Sequence, residues 1–339
     1  MLNVIYGILI ISFLATAHEF GHFIVAKLSH IPVEEFAIGF GPTIYEHTAE
    51  DGMKFKINVF PILGYNKLKG MDDNFDAKDG FYNRPFLPKF LTILAGPVMN
   101  LIVAILIFSV VFASFGNPLS PTTVIASVVP NSPAYMAGIQ PNDKILKLNN
   151  VEINSWDELV VEVQKTEGKD TPVLIERNGQ NIELTLKPTY DKTQKKWMVG
   201  ISPKGEVYPV SRSFTEASKW TFQALYEMFT FVPKLFTRAG LSSLAGPIGI
   251  ISMTGEAATG GFMSILFFVA YISIALAFTN LLPIPPLDGS WLVIILFEGM
   301  TRKKVPIEKT AQIQSVALIL MLLLMVFVSI NDILRIFGK

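Results

Sequence analysis

Four stretches of this chain are apolar for long enough to forbid most folds. They run over about residues 2–27, 88–115, 262–283 and 310–333, each approaching or exceeding the roughly 20 residues a helix needs to cross a bilayer. In hydrocarbon the backbone must satisfy its own polar groups, so an open span of this kind is a helix. Residues 1–17 carry no charged side chain, nor do residues 257–287. Half of the chain is hydrophobic and 17% is charged, which is too apolar for an ordinary soluble enzyme. The charges balance to a net of zero, so no nucleic-acid partner is implied. With no cysteine, disulfides and thiolate-bound metals are excluded. The N-terminus has no basic region and no small-residue cleavage site, so it reads as a retained span rather than a signal peptide.

These spans predict a mainly α membrane protein with four transmembrane helices. A long polar region with strand-like runs and turn residues separates the second span from the third and reads as an inserted α+β domain. The expected division is 1–118 for the first half of a membrane core, with a β-hairpin region at 33–70. It continues with 119–205 for the inserted domain, 206–261 for an amphipathic surface segment and 262–339 for the second half of the core. Lys54, Lys56, Lys67, Lys69, Lys78 and Arg84 fall between spans one and two, and Arg302, Lys303, Lys304 and Lys309 between spans three and four. By the positive-inside rule both loops are cytoplasmic, and the inserted domain and both termini are outside. Phe214–Arg238, rich in aromatic residues, suits the outer membrane surface.

The first span contains His18-Glu19-Phe20-Gly21-His22. Histidines four apart share a helix face and can hold one zinc ion, and the intervening glutamate is placed to act as a general base on a metal-held water. Ionisable groups inside an apolar span are costly and imply function. His18 lies about 24 Å along a helix that enters from outside, at roughly 1.5 Å per residue, which puts the metal in the cytoplasmic half of the bilayer. A catalytic zinc usually takes three protein ligands. The remaining histidines, His30 and His47, read as loop residues, and a metzincin spacing would need histidine where Leu28 stands. The better third ligand is Asp288, the first charge after the long neutral run, following Pro283-Ile284-Pro285-Pro286-Leu287. Prolines here break the third helix, which is tolerated where protein or a water cavity satisfies the freed backbone.

Together these motifs resemble the site-2 protease family of intramembrane zinc metalloproteases, in particular its bacterial RseP-type, regulated-intramembrane-proteolysis branch. The resemblance rests on His18–His22, on Leu282–Gly289, on Gly96-Pro97-Val98-Met99-Asn100 and on Ala245-Gly246-Pro247-Ile248-Gly249-Ile250, in the family's order. It implies one zinc ion per chain held by His18, His22 and Asp288, with Glu19 activating water. It implies a substrate or transition-state role for Asn280, and Asn100 on the second-span patch is a further substrate-binding candidate. Two positions depart from the family pattern: Ser290 replaces the second glycine of a Gly-Gly pair, and Leu63 replaces one glycine of the hairpin segment Pro61–Asn66.

A peptide bond in a membrane helix is hidden by its own hydrogen bonds, so a substrate must unwind, and an added β-strand would present it. Phe36–Tyr45, with Gly39 and Gly41, and Lys54–Val59 alternate enough for a small sheet on the cytoplasmic side, which in the family approaches the active site. In the inserted domain, strands at Val124–Val129 and Asp143–Asn149, a helix at Trp156–Glu167 and a hairpin across Asn178-Gly179 resemble a single, circularly permuted PDZ domain. Trp197–Ser202 would be its groove strand, with Gly200 and Ile201 meeting a peptide ligand. The expected partners are therefore the lipid bilayer, single-span membrane proteins such as anti-sigma factors, remnant signal peptides, and a PDZ peptide. The expected location is a bacterial plasma membrane. The alternatives are a PDZ-based scaffold without catalysis, and a metal transporter, which would need more polar residues in several spans.

Overall fold

Leu2–Leu28 forms one helix, α1. It ends where His30 turns to positive φ, 56°. Ile31 N–H then donates to the Ala26 carbonyl and His30 N–H to the Lys27 carbonyl, a Schellman closure in which histidine takes the position glycine usually holds. His30 is thus a helix cap. The computed structural model describes residues 2–71, 77–192, 195–235, 246–259 and 261–337. It divides into one unit of Met1–Phe108 with Phe214–Lys339 and another of Ser109–Ser213.

In the first unit α1 is followed by strands β1 (Val33–Thr48) and β2 (Lys54–Leu68) and then by helix α2 (Phe86–Ser114). After the second unit come α5 (Val210–Leu235), α6 (Pro247–Thr259), α7 (Phe262–Leu281), α8 (Asp288–Thr301) and α9 (Ile307–Phe337). Among the described residues four helices are long and apolar enough to cross a membrane: Ile5–Leu28, Phe86–Ser114, Phe262–Leu281 and Glu308–Ile330. α9 exposes Ile319, Leu320, Leu323 and Phe327, as a helix facing lipid would. α5 covers most of the aromatic segment expected at Phe214–Arg238; Phe236 and Arg238 lie outside the described residues, as does Ala245 of the Ala245–Ile250 motif. Trp220 of α5 packs on Phe108 and Phe267.

The sheet is larger than the sequence suggests. β1 and β2 pair with a doubled register: Glu35 to Ile38 lie opposite both Lys54–Ile57 and Gly64–Lys67, so β2 flanks β1 on two sides. Asn58 is buried at the bend, donating to the Gly39 carbonyl and accepting from Thr43. Lys56 sits 2.8 Å from Glu35, and Tyr65 donates to the same carboxylate. His47, expected in a turn, is in β1 opposite Phe55. Burial of Ala26, Ile31, Val33, Leu68, Phe81, Ile93, Leu292 and Ile295 joins the end of α1, this sheet, α2 and α8 in one core.

The second unit is built on a sheet in the order β10-β3-β4-β6-β7, with β5 beside β4. Its strands are β3 (Asn117–Val128), β4 (Lys144–Leu148), β5 (Val151–Glu152), β6 (Thr171–Arg177), β7 (Gln180–Leu186) and β10 (Ile201–Glu206), with a separate pair β8 (Thr189–Asp191) and β9 (Lys196–Met198). The helices are α3 (Pro133–Met136) and α4 (Trp156–Lys165). The β6–β7 hairpin turns through Asn178 (φ 52°) and Gly179 (φ 78°), the positive-φ pair that suits strand twist. The expected continuous strand Trp197–Ser202 is broken, because Gly200 has φ 77° and its neighbours divide between β9 and β10. Apolar side chains of β3, β4, β6, β7 and α4 form the core, among them Ile125, Ile145, Leu148, Leu159 and Ile175. Asp143, 1% exposed, receives two 2.7 Å bonds from Arg177, and Gln140 N–H donates to it as well.

Candidate metal centre

Helical spacing puts His18 and His22 on one face of α1, and both are buried. Their Nε2 atoms are 3.1 Å apart. The break between α7 and α8 brings Asp288, the first residue of α8, onto the same point: its Oδ2 is 2.9 Å from His18 Nε2 and 3.3 Å from His22 Nε2. Among the described residues this is a group of three whose ligand atoms all lie within 4.8 Å of one another. Bonds of about 2.0–2.1 Å to a tetrahedral zinc separate its ligands by about 3.3 Å, so the spacing fits that ion. His22 Nδ1 donates to the Thr92 carbonyl at 2.8 Å. That bond fixes the tautomer and leaves Nε2 as a lone pair aimed at Asp288, whose Oδ2 has no hydrogen-bond donor among the described residues. Lone pairs converging on one buried point repel unless a cation lies between them.

The backbone of α2 makes room for this arrangement. A Cβ on Gly21 would come 2.3 Å from the Ala95 carbonyl oxygen, so α1 and α2 cross with no side chain between them. A Cβ on Gly96 would come 2.3 Å from His22 Nε2 and 2.7 Å from His18 Nε2, where those nitrogens now point. Pro97 has no N–H to give to the helix, and Thr92, whose carbonyl holds His22, lies earlier in α2.

Other expected site residues are distributed as follows. Asn100 is fully buried with its amide 3.4 Å from His18 Nδ1, placing it behind the histidine ring. Among the described residues Asn100 Oδ1 has no partner; turning the amide over gives it the proton of His18 Nδ1, and the two orientations have the same shape. Asn280 is half-buried in the last turn of α7. Gly39 and Gly41 pack on Phe60 and shape the bend of the hairpin. Gly64–Asn66 of β2 lies beside Glu19: a Cβ on Gly64 would be 3.7 Å from Glu19 Cγ, and Asn66 donates to the Glu19 carbonyl. Gly200 and Ile201 line a cavity of about 310 Å³ between α4 and the β9–β10 segment. Gln164 bonds both the N–H and the carbonyl of Trp197 at its edge. Ser290, where a second glycine was expected, donates to the Leu287 carbonyl and accepts from Gln314, so its hydroxyl steadies the turn that carries Asp288.

The Thr92 carbonyl has no signature in sequence, since any residue supplies one. Gly21 and Gly96 stood inside quoted motifs, but their meaning lies in a crossing of helices distant in sequence.

The chain matches the profile of peptidase family M50 over residues 6–324. It belongs to that family. As an M50 zinc metalloendopeptidase of site-2 type it has relatives over its full length. One, named as a zinc metalloprotease of Clostridium acetobutylicum, is 35% identical over 98% of this chain and 97% of its own length. Another so named, from Campylobacter jejuni, is 34% identical over 98% and 93%. A chain of Enterococcus faecalis named as a protease is 29% identical over 99% and 100%. A solved PDZ domain of an SdrC-like protein from Listeria monocytogenes aligns over 24% of this chain and 87% of its own, at 19% identity and a TM-score of 0.22, which is too low to carry an argument.

Proposed function

We propose that this peptidase cleaves single-span membrane proteins, anti-sigma factors or remnant signal peptides, within or next to the bilayer. In this reading His18, His22 and Asp288 hold one zinc ion per chain and Glu19 is the general base. The observation that carries it is the convergence of those three donor groups, from two helices of a membrane-spanning unit, beside Glu19 on the same turn. When bound, zinc lowers the pKa of water to about 7 and polarises a carbonyl. Glu19 takes the proton of the attacking water and returns it to the leaving amine. Thr92 and Asn100 keep the two imidazoles oriented, as outer partners of metal-binding histidines do.

Gly64–Leu68 has β1 on one side and, among the described residues, no strand on the other. Its place beside Glu19 supports the addition of an unwound substrate as a further strand, which would hold the scissile bond extended. Asn280 is proposed to contact that substrate. The charge pattern supports a centre in the cytoplasmic half of the membrane, with residues 119–205 outside as a PDZ-type module that admits substrates already trimmed. The cavity beside Gly200 and Ile201 supports a peptide-binding role for that module.

The test is Glu19→Gln and Asp288→Ala in purified full-length protein, reading zinc by elemental analysis and cleavage of a model transmembrane substrate. Glu19→Gln is expected to abolish cleavage with about one zinc kept per chain, and Asp288→Ala to lose both. Normal cleavage by Glu19→Gln would remove the base assignment, and no cleavage by the unaltered, zinc-loaded protein would favour a binding-only scaffold.

A further inference from the structure

A second charged site lies at the end of the first unit where α2 begins and α8 ends. There a cavity of about 200 Å³ is lined by Lys89, Glu298, Arg302, Lys303 and Lys304. Lys89 is buried and pairs with the half-buried Glu298 at 2.7 Å. The other oxygen of Glu298 accepts from Val305 N–H. Lys304 reaches only a neutral oxygen, that of Asn83. Arg302 closes α8 in the left-handed conformation, φ 55°. No carboxylate lies in salt-bridge range of Arg302, Lys303 or Lys304 among the described residues.

Phe86 and Ile295 line the cavity beside these charges. On the same two helices Met300 is 85% exposed and Leu87 58%, with Phe297 and Phe86 also exposed. Gly299 lets the Phe86 ring lie against α8, since a Cβ there would come 2.7 Å from it. Among the described residues, three cations without a carboxylate partner thus sit where α2, one of the membrane-length helices, begins, with apolar side chains exposed on α2 and α8. That combination matches the two parts of one molecule, a phosphodiester over acyl chains. A basic pocket between membrane helices at an interface is suited to anionic headgroups, and a guanidinium suits phosphate oxygens. We propose that this cavity binds the phosphate headgroup of an anionic phospholipid. The site is independent of the peptidase reading. It is linked to the metal centre through α8, whose first residue is Asp288 and whose cap is Arg302.

The test uses the full-length protein in a neutral detergent. Native mass spectrometry and thermal shift are read after addition of phosphatidylglycerol, phosphatidylcholine or inorganic phosphate. The variant is Arg302→Asn with Lys303→Gln; asparagine accepts the left-handed conformation. A control of equal charge change is Lys187→Gln with Lys204→Gln. Expected is one retained phosphatidylglycerol per chain, stabilisation by that lipid alone, and about thirtyfold weaker binding in the double variant, with the control unchanged. Equal retention of phosphatidylcholine, the same shift with inorganic phosphate alone, or unchanged lipid binding in the double variant would each overturn the proposal. Zinc content measured in parallel separates this result from failure of the metal centre, and normal expression of the double variant is expected because both side chains are exposed.

Discussion

Gly96→Ala is the sharpest perturbation of the metal centre that leaves every donor group in place. The added Cβ would lie 2.3 Å from His22 Nε2 and 2.7 Å from His18 Nε2, whereas non-bonded carbon contacts optimise at about 3.5–4.0 Å. Each ring tip must therefore retreat by about 1 Å. A zinc site tolerates about 0.2 Å in its bond lengths, so the displacement exceeds tolerance several-fold. The rings are not free to absorb it, since His22 is tied to the Thr92 carbonyl at 2.8 Å and His18 backs onto Asn100. The fold itself should survive, because the clash is with ring tips at a site rather than with backbone, and overpacking of this kind costs about 1–3 kcal/mol. The expected result is a folded protein with zinc well below one per chain and cleavage lowered at least about 100-fold. The assays are elemental analysis, circular dichroism and turnover of a transmembrane substrate. A Gly96→Ala protein with a full zinc complement and near-normal turnover would refute the assignment of this point as the metal position.

Arg177→Met should destabilise the second unit by about 3 kcal/mol, because it strands the Asp143 carboxylate, 1% exposed on its side chain, with no cation; hydrogen exchange in β4 and β6 measures it, and unchanged protection would contradict it. Lys56, and then Tyr65, hold the Glu35 carboxyl below its ordinary value of 4.5. Its contribution to the β1–β2 sheet is therefore present above the unfolded value and lost as pH falls through the lower folded value, a change below about 1 kcal/mol for a pair this exposed, read as hairpin amide exchange against pH and absent in Glu35→Gln. Because the chain has no cysteine, Ser155→Cys should react with an impermeant thiol reagent on intact cells and Thr301→Cys only after permeabilisation; the reverse pattern would invert the proposed orientation.

The composition of four spans, the His18–His22 spacing and the proline-broken approach to Asp288 were readable from the chain because each depends on local order. An open span in hydrocarbon must be helical, a helix repeats its face every three to four residues, and a cluster of prolines such as Pro283, Pro285 and Pro286 ends a helix. The Asn178-Gly179 turn was legible for the same reason, since positive φ is a property of those residues. What tertiary structure alone decided lies at crossings between distant segments. The meaning of Gly21 and Gly96 is the approach of α1 to α2, the partner of His22 is the carbonyl of Thr92, and Asn100 lies behind a histidine 82 positions away. Gly64–Asn66 reaches Glu19 from a strand that pairs twice with β1. Registers and close approaches are set by the sum of many weak packing terms over the assembled unit, and no single stretch of sequence contains that sum.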